Sequence, residues 1–74
     1  MPEVMRIGVI KIEMYFEDHG PPHFHVIEAE YEAKIDIMSL EILRGNIRAR
    51  TYRKVKGWAE ENRNFLLRKW EELQ

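Results

Sequence analysis

All three histidines of the 74-residue chain, His19, His23 and His25, fall between Asp18 and Val26, beside the dipeptide Pro21-Pro22. An imidazole exchanges a proton near neutral pH or ligates a metal. Two consecutive prolines stiffen the backbone and remove two amide donors. His23 and His25 are two positions apart, so on a strand both rings leave the same face, about 7 Å apart at Cα. That spacing suits a divalent metal held by His23, His25 and His19, with Asp18 or Asp36 completing the ligand set. It also suits acid–base chemistry. Cleaving RNA takes a base for the 2′-hydroxyl, an acid for the leaving oxygen and a cation for the phosphate. His23 and His25 fill the first two roles, Lys34 or Arg50 the third, and Asp36 can fix the His23 tautomer. A plainer reading stands beside both: a histidine between proline and phenylalanine can close the loop by a hydrogen bond, with Pro-Pro shaping the turn.

A second group of candidates is cationic. Residues 1–43 carry nine acids and three bases, a net of −6, and residues 44–74 carry nine bases and four acids, a net of +5, so the overall −1 hides a division. From Arg44 to Lys56 there are six bases and no acid. Within this stripe Arg48, Arg50, Arg53 and Lys54 are candidates for binding phosphate or an acidic partner, with Asp18, His19 and Tyr15 as candidates around the histidine motif. A solvated helix start explains such a stripe equally well. Cations in a first helical turn nevertheless oppose the macrodipole, which tilts the reading towards a contact.

These side chains must be held by regular elements, and the hydropathy pattern indicates which. Residues 6–16 alternate, with Ile10, Ile12, Met14 and Phe16 on one side, which predicts a strand with one buried face. Asp18 to Pro22 must turn, because Gly-Pro-Pro cannot continue a ladder. Residues 23–28 and 31–37 alternate again. A hairpin turning at Ala29-Glu30 sets Phe24 against Ile35 and Val26 against Ala33, so the apolar sets coincide; a slip of one would oppose apolar to polar. The same register places His25 opposite Lys34 and His23 opposite Asp36. Pairing Phe16 with Phe24 and Met14 with Val26 brings Tyr15 beside His25. A short fourth strand over 39–43 would end at the turn residues Gly45-Asn46.

After that the period becomes helical over about 50–73. Tyr52, Val55, Trp58, Ala59, Phe65, Leu66, Trp70 and Leu73 share one face about 140° wide. Asn62 interrupts this stripe, which predicts two helices with an Asn capping the second, or one helix that tolerates it. The expected fold is a single α+β domain over 1–74, in two layers: an antiparallel sheet of three or four strands, covered on one face by one or two C-terminal helices.

With 45% hydrophobic residues, a chain this short buries a modest core, and oligomerisation would supplement it. The absence of cysteine excludes disulfides and thiolate zinc sites and fits a reducing cytoplasm. No apolar run approaches the ~18 residues of a membrane helix, and no signal-peptide pattern opens the chain.

The run Asp18-His19-Gly20-Pro21-Pro22-His23-Phe24-His25-Val26 resembles the D-H-x-P-P-H-F-H-V signature of a small bacterial family of domains of unknown function. The likeness continues through Tyr31 to Ile37, Trp58-Ala59-Glu60 and Leu66 to Trp70. One departure is the helix start, where relatives often have a proline and Ile47 to Thr51 has none. Family members look like partners of a second small protein encoded beside them, and some are described as the toxin of a proposed type II toxin–antitoxin pair. The resemblance therefore implies a toxin-type component that binds a cognate small protein, with RNA as the target class if it is catalytic. The alternatives from the residues alone are a protein-binding module with a structural His-Pro motif and a small domain holding a divalent metal.

Overall fold

Five strands form one antiparallel sheet before two helices end the chain. In the computed structural model, which describes residues 3–74, β1 is Glu3–Ile7, β2 Ile10–Glu13, β3 His23–Glu28, β4 Tyr31–Asp36 and β5 Ile42–Asn46; α1 (Ala49–Glu61) and α2 (Arg63–Leu73) follow. The strands lie in sequence order, β1 to β5. The fold is α+β, with five strands instead of the three or four expected. Met1 and Pro2, which fall in the expected 1–74 domain, lie outside the described residues.

The extra strand comes from the first expected one. Residues 6–16 do not form a single strand: Gly8, at φ +59, turns the chain and folds β1 onto β2. Ile7 pairs with Ile10, so apolar residues run through the turn and mask it from a period-two reading. β2 stops at Glu13. Glu17, at φ 53, leads the chain away, and Phe16, expected in the core, is 67% exposed. β2 also pairs two residues away from the expected register: Ile12 instead of Met14 faces Val26, and Glu13 instead of Tyr15 faces His25. An even shift preserves the faces, so Ile12 and Met14 are both buried.

The central hairpin has the register that its apolar residues demand, with Phe24 against Ile35, His25 against Lys34 and His23 against Asp36. Its turn puts Ala29 at φ 54, where a Cβ costs about 1–2 kcal/mol. β5 begins later than the expected 39–43. The Asp36 Oδ1 accepts N–H bonds from Met38 and Ser39 at 2.7 and 2.9 Å, holding a tight turn first. Gly45 and Asn46, expected as a turn, lie within the strand.

Val55 and Ala59 of α1 and Leu66 and Trp70 of α2 share one core with Ile12, Phe24, Val26 and Ile35. The helices are two, as the interruption at Asn62 predicts. Asn62 donates its side-chain N–H back to the Trp58 carbonyl at 2.8 Å, closing α1; it makes no side-chain cap bond to α2, contrary to the expected capping, and only its carbonyl joins α2 by accepting the Leu66 N–H. The start of α1 has no side-chain cap and no acid in its first turn. It is anchored laterally: the buried Thr51 hydroxyl donates to Glu28, and the Tyr52 hydroxyl donates to the Leu40 carbonyl at 2.6 Å. Among the described residues no helix is long and apolar enough to cross a membrane.

Candidate functional site

The sheet face opposite the Phe24–Val26 side holds a row of four polar residues from four strands. Glu13 of β2 pairs with His25 of β3, His25 with Lys34 of β4, and Lys34 with Arg44 of β5. Directly paired residues bring their side chains within interaction distance, so acid, imidazole, ammonium and guanidinium follow one another across the sheet. Part of this row lines a groove of about 400 Å³, bounded by His25, Glu32, Ala33, Lys34, Arg44 and Gly45. Alternation alone creates the arrangement: His25, between the buried Phe24 and Val26, and Lys34, between the buried Ala33 and Ile35, have nowhere to point but here.

At one end of the row the segment after β2 folds back over the sheet. The Tyr15 ring lies 4.4 Å from His25, centroid to centroid, and its hydroxyl donates to Glu13 at 3.2 Å. Asp18 reaches His23, with Oδ2 2.8 Å from Nε2, and lies 3.7 Å from His25 Nε2, too far for a hydrogen bond. His23 Nδ1 lies 2.8 Å from the Pro21 carbonyl, which can only accept, so this nitrogen bears a proton. His25 Nε2 is buried with no hydrogen-bond partner among the described residues, while its Nδ1 is 3.8 Å from Glu32 Oε2. One ligand atom from each of Asp18, His23 and His25 falls within 4.8 Å of the others.

Burial and neighbouring groups together set the charge states. Burial pushes the Asp18 carboxyl up, but the His19 backbone N–H and the His23 ring outweigh it and hold that carboxyl below the usual range. Burial and the neighbouring His23 push the His25 imidazole down, against the opposing pull of Asp18 and Glu32. Burial, the Glu13 hydrogen bond and nearby carboxylates push the Tyr15 phenol up to about 12, so it is a hydrogen-bond donor at neutral pH.

The expected site is therefore partly assembled. His23 and His25 share a face, but His23 is not on the solvent side: it is 1% exposed, and the Trp70 ring of α2 lies 4.8 Å away. Asp36 pairs with His23 in register, yet its Oδ1 serves the 36–39 turn, and Asp18 is the carboxylate that meets the ring. His19 is exposed and outside the cluster, and only its backbone N–H joins in, donating to Asp18 at 3.0 Å. Arg48, Arg50 and Lys54 line a different groove, of about 130 Å³, with Glu28 and Thr51. Arg48 also stacks over Tyr31 at 5.0 Å, and Arg53 is exposed on α1. Glu13, Glu32, Arg44 and Trp70 are additions to the expected site. Arg44 was within reach of sequence reasoning, since extending the last strand to Asn46 pairs it with Lys34.

A small two-layer α+β domain, with a partly buried Asp–His–His cluster beside a cationic groove on its sheet, is the class that this geometry defines. The chain belongs to the family described as domain of unknown function DUF4160, whose model matches residues 10–71. No curated protein and no solved structure matches it.

Proposed function

We propose that this domain is the toxin-type component of a bacterial toxin–antitoxin module, acting in the cytoplasm on RNA, and paired with a cognate small protein encoded nearby. The observation that carries the reading is the His25–Lys34–Arg44 row lining an open groove beside Asp18 and His23. Phosphodiester cleavage needs countercharge on the phosphate and proton transfer at the oxygens that attack and leave. Lys34 and Arg44 supply the first. The Asp18–His23–His25 cluster supplies the second, with His25 as its member in the groove. The resemblance of Asp18–Val26 to a motif found in toxin-type proteins points the same way.

Expressing the chain alone should arrest bacterial growth, and His25→Ala or the double change Lys34→Ala/Arg44→Ala should relieve the arrest while circular dichroism stays unchanged. Normal growth on wild-type expression, with soluble folded protein present, refutes the reading. Affinity of the purified chain for single-stranded RNA should fall with salt, at a slope of about −0.7 for each phosphate neutralised. The double variant should flatten that slope.

One set of contacts favours a second reading, a protein-binding module whose histidine motif is structural. His23 is bonded to Pro21, and Ile37 donates its N–H to the Pro22 carbonyl at 3.0 Å, so the motif pins the loop to the end of β4. On this reading His25→Ala and the double variant leave growth and partner capture as they were.

A further inference from the structure

We propose that Asp18, His23 and His25 form a divalent transition-metal site, with Asp18 Oδ2 and the two Nε2 atoms as ligands and at least one position left for water or a substrate oxygen. The argument starts from hydrogen-bond bookkeeping. Because His23 Nδ1 donates its N–H to the Pro21 carbonyl, Nε2 is the nitrogen aimed at the Asp18 carboxylate oxygen, 2.8 Å away. A hydrogen bond between these two atoms settles that pair, yet it leaves the buried His25 Nε2, 3.7 Å from the same oxygen, without a partner among the described residues. A cation shared by all three atoms satisfies every one of them at once.

The outer contacts have the form that metal-binding histidines require. Such a histidine donates its remote N–H to a carbonyl or carboxylate, which fixes the tautomer and aims the other nitrogen. Pro21 does this for His23; for His25 the nearest carboxylate to Nδ1 is Glu32, 3.8 Å away, which a small side-chain rotation would have to bring into hydrogen-bond range. Two imidazoles and one carboxylate select zinc, iron(II), manganese, cobalt or nickel over magnesium and calcium, which take oxygen ligands. Three protein ligands are the number found in catalytic sites, which keep a position open. With metal–ligand bonds of roughly 2.0–2.2 Å, ligand atoms lie about 3–3.5 Å apart. Rotation of His25 and of Asp18, which lies on a loop, would draw in the 3.7 Å Asp18–His25 edge and open the 2.8 Å Asp18–His23 edge slightly. A bound metal would lower the pKa of its water towards 7 and supply the proton-transfer group that the groove needs.

The inference names the chemistry of the site proposed above, but its test needs neither RNA nor growth. The full chain, purified without a histidine tag, is titrated with cobalt(II) and followed by visible absorption; zinc(II) then competes the cobalt away. We expect one equivalent of cobalt per chain with tetrahedral or five-coordinate bands, at least ten-fold weaker binding in His25→Ala and Asp18→Asn, and unchanged binding in His19→Ala. Both weakened variants should keep the wild-type circular dichroism spectrum, and X-ray absorption of the zinc form should report two imidazoles. No stoichiometric binding by the wild type overturns the site, as does equal weakening by His19→Ala. Metal binding without growth arrest would condemn the toxin reading and leave the metal site standing; arrest without metal binding would do the reverse.

Discussion

Replacing Gly45 with alanine should loosen the strand that carries Arg44 into the groove. Gly45 sits at φ +80, and a Cβ there would lie 2.2 Å from the Glu32 carbonyl oxygen and 3.1 Å from the Ala33 Cα, both backbone atoms of β4. A backbone oxygen cannot rotate away as a side chain can, so β5 must move outward by about 1 Å to reach van der Waals separation. The positive φ contributes about 1–2 kcal/mol of strain. Stretching or losing a ladder hydrogen bond adds about 1–3 kcal/mol. The expected loss is therefore about 2–5 kcal/mol. A 74-residue chain has roughly 4–11 kcal/mol of stability in all, so the variant should be severely weakened. Urea unfolding followed by Trp58 and Trp70 fluorescence reads this directly. Gly8→Ala is the internal control: Gly8 also has a positive φ, +59, but nothing lies within 4 Å of its added Cβ, so only the strain of about 1–2 kcal/mol applies. If Gly45→Ala lost no more stability than Gly8→Ala, the close approach of β5 to β4 would be wrong, and with it the placement of Arg44 beside Lys34.

Two further substitutions should raise stability, which few changes do. Gly57 lies in α1 with open space around it, so Gly57→Ala should gain about 0.8–1 kcal/mol of helix propensity in the same urea assay, and a loss would contradict an exposed helical position there. Ala29→Gly should relieve about 1–2 kcal/mol of strain at φ 54 against about 0.5–1 kcal/mol of added chain entropy; the net of up to about 1.5 kcal/mol should appear as a higher Tm, and a lower one would mean that the hairpin turns differently.

How far the sequence reveals this fold depends on how many independent constraints meet at each element. The β3–β4 hairpin is legible because two alternating runs must match apolar to apolar, and only one register does so, even with a turn that lacks Gly or Asn. The β1–β2 hairpin is not, since Ile7 and Ile10 flank Gly8-Val9 and the apolar character never breaks. Phe16 shows the complementary failure: alternation continues through Met14 and Tyr15 after the strand has ended at Glu13. Asn62 is legible as a helix break because a polar residue within an apolar stripe has few other roles.

The site divides along the same line. That His23 and His25 share a face follows from period two, which is local. That Asp18, and not the register partner Asp36, meets His23 does not, because it depends on how a turn of Pro-rich chain returns over the sheet. The burial of His23 under Trp70 is still less local, since it needs α2 placed against the end of β3.

The double proline connects the two halves of the problem. A proline has no N–H to place, so Pro21 and Pro22 enter the loop purely as acceptors. The Pro21 carbonyl accepts a hydrogen bond from His23 Nδ1–H and the Pro22 carbonyl accepts one from the Ile37 N–H. The first bond aims an imidazole and the second ties the loop to the end of β4. One dipeptide thus orients the ring and holds the fold together, which is why removing His23 must disturb both. Variants at His25, whose Nε2 makes no hydrogen bond, separate chemistry from stability, whereas Asp18 is bonded to the buried His23. If His25→Ala unfolded the domain as readily as His23→Ala, the division of labour between the two rings would be wrong.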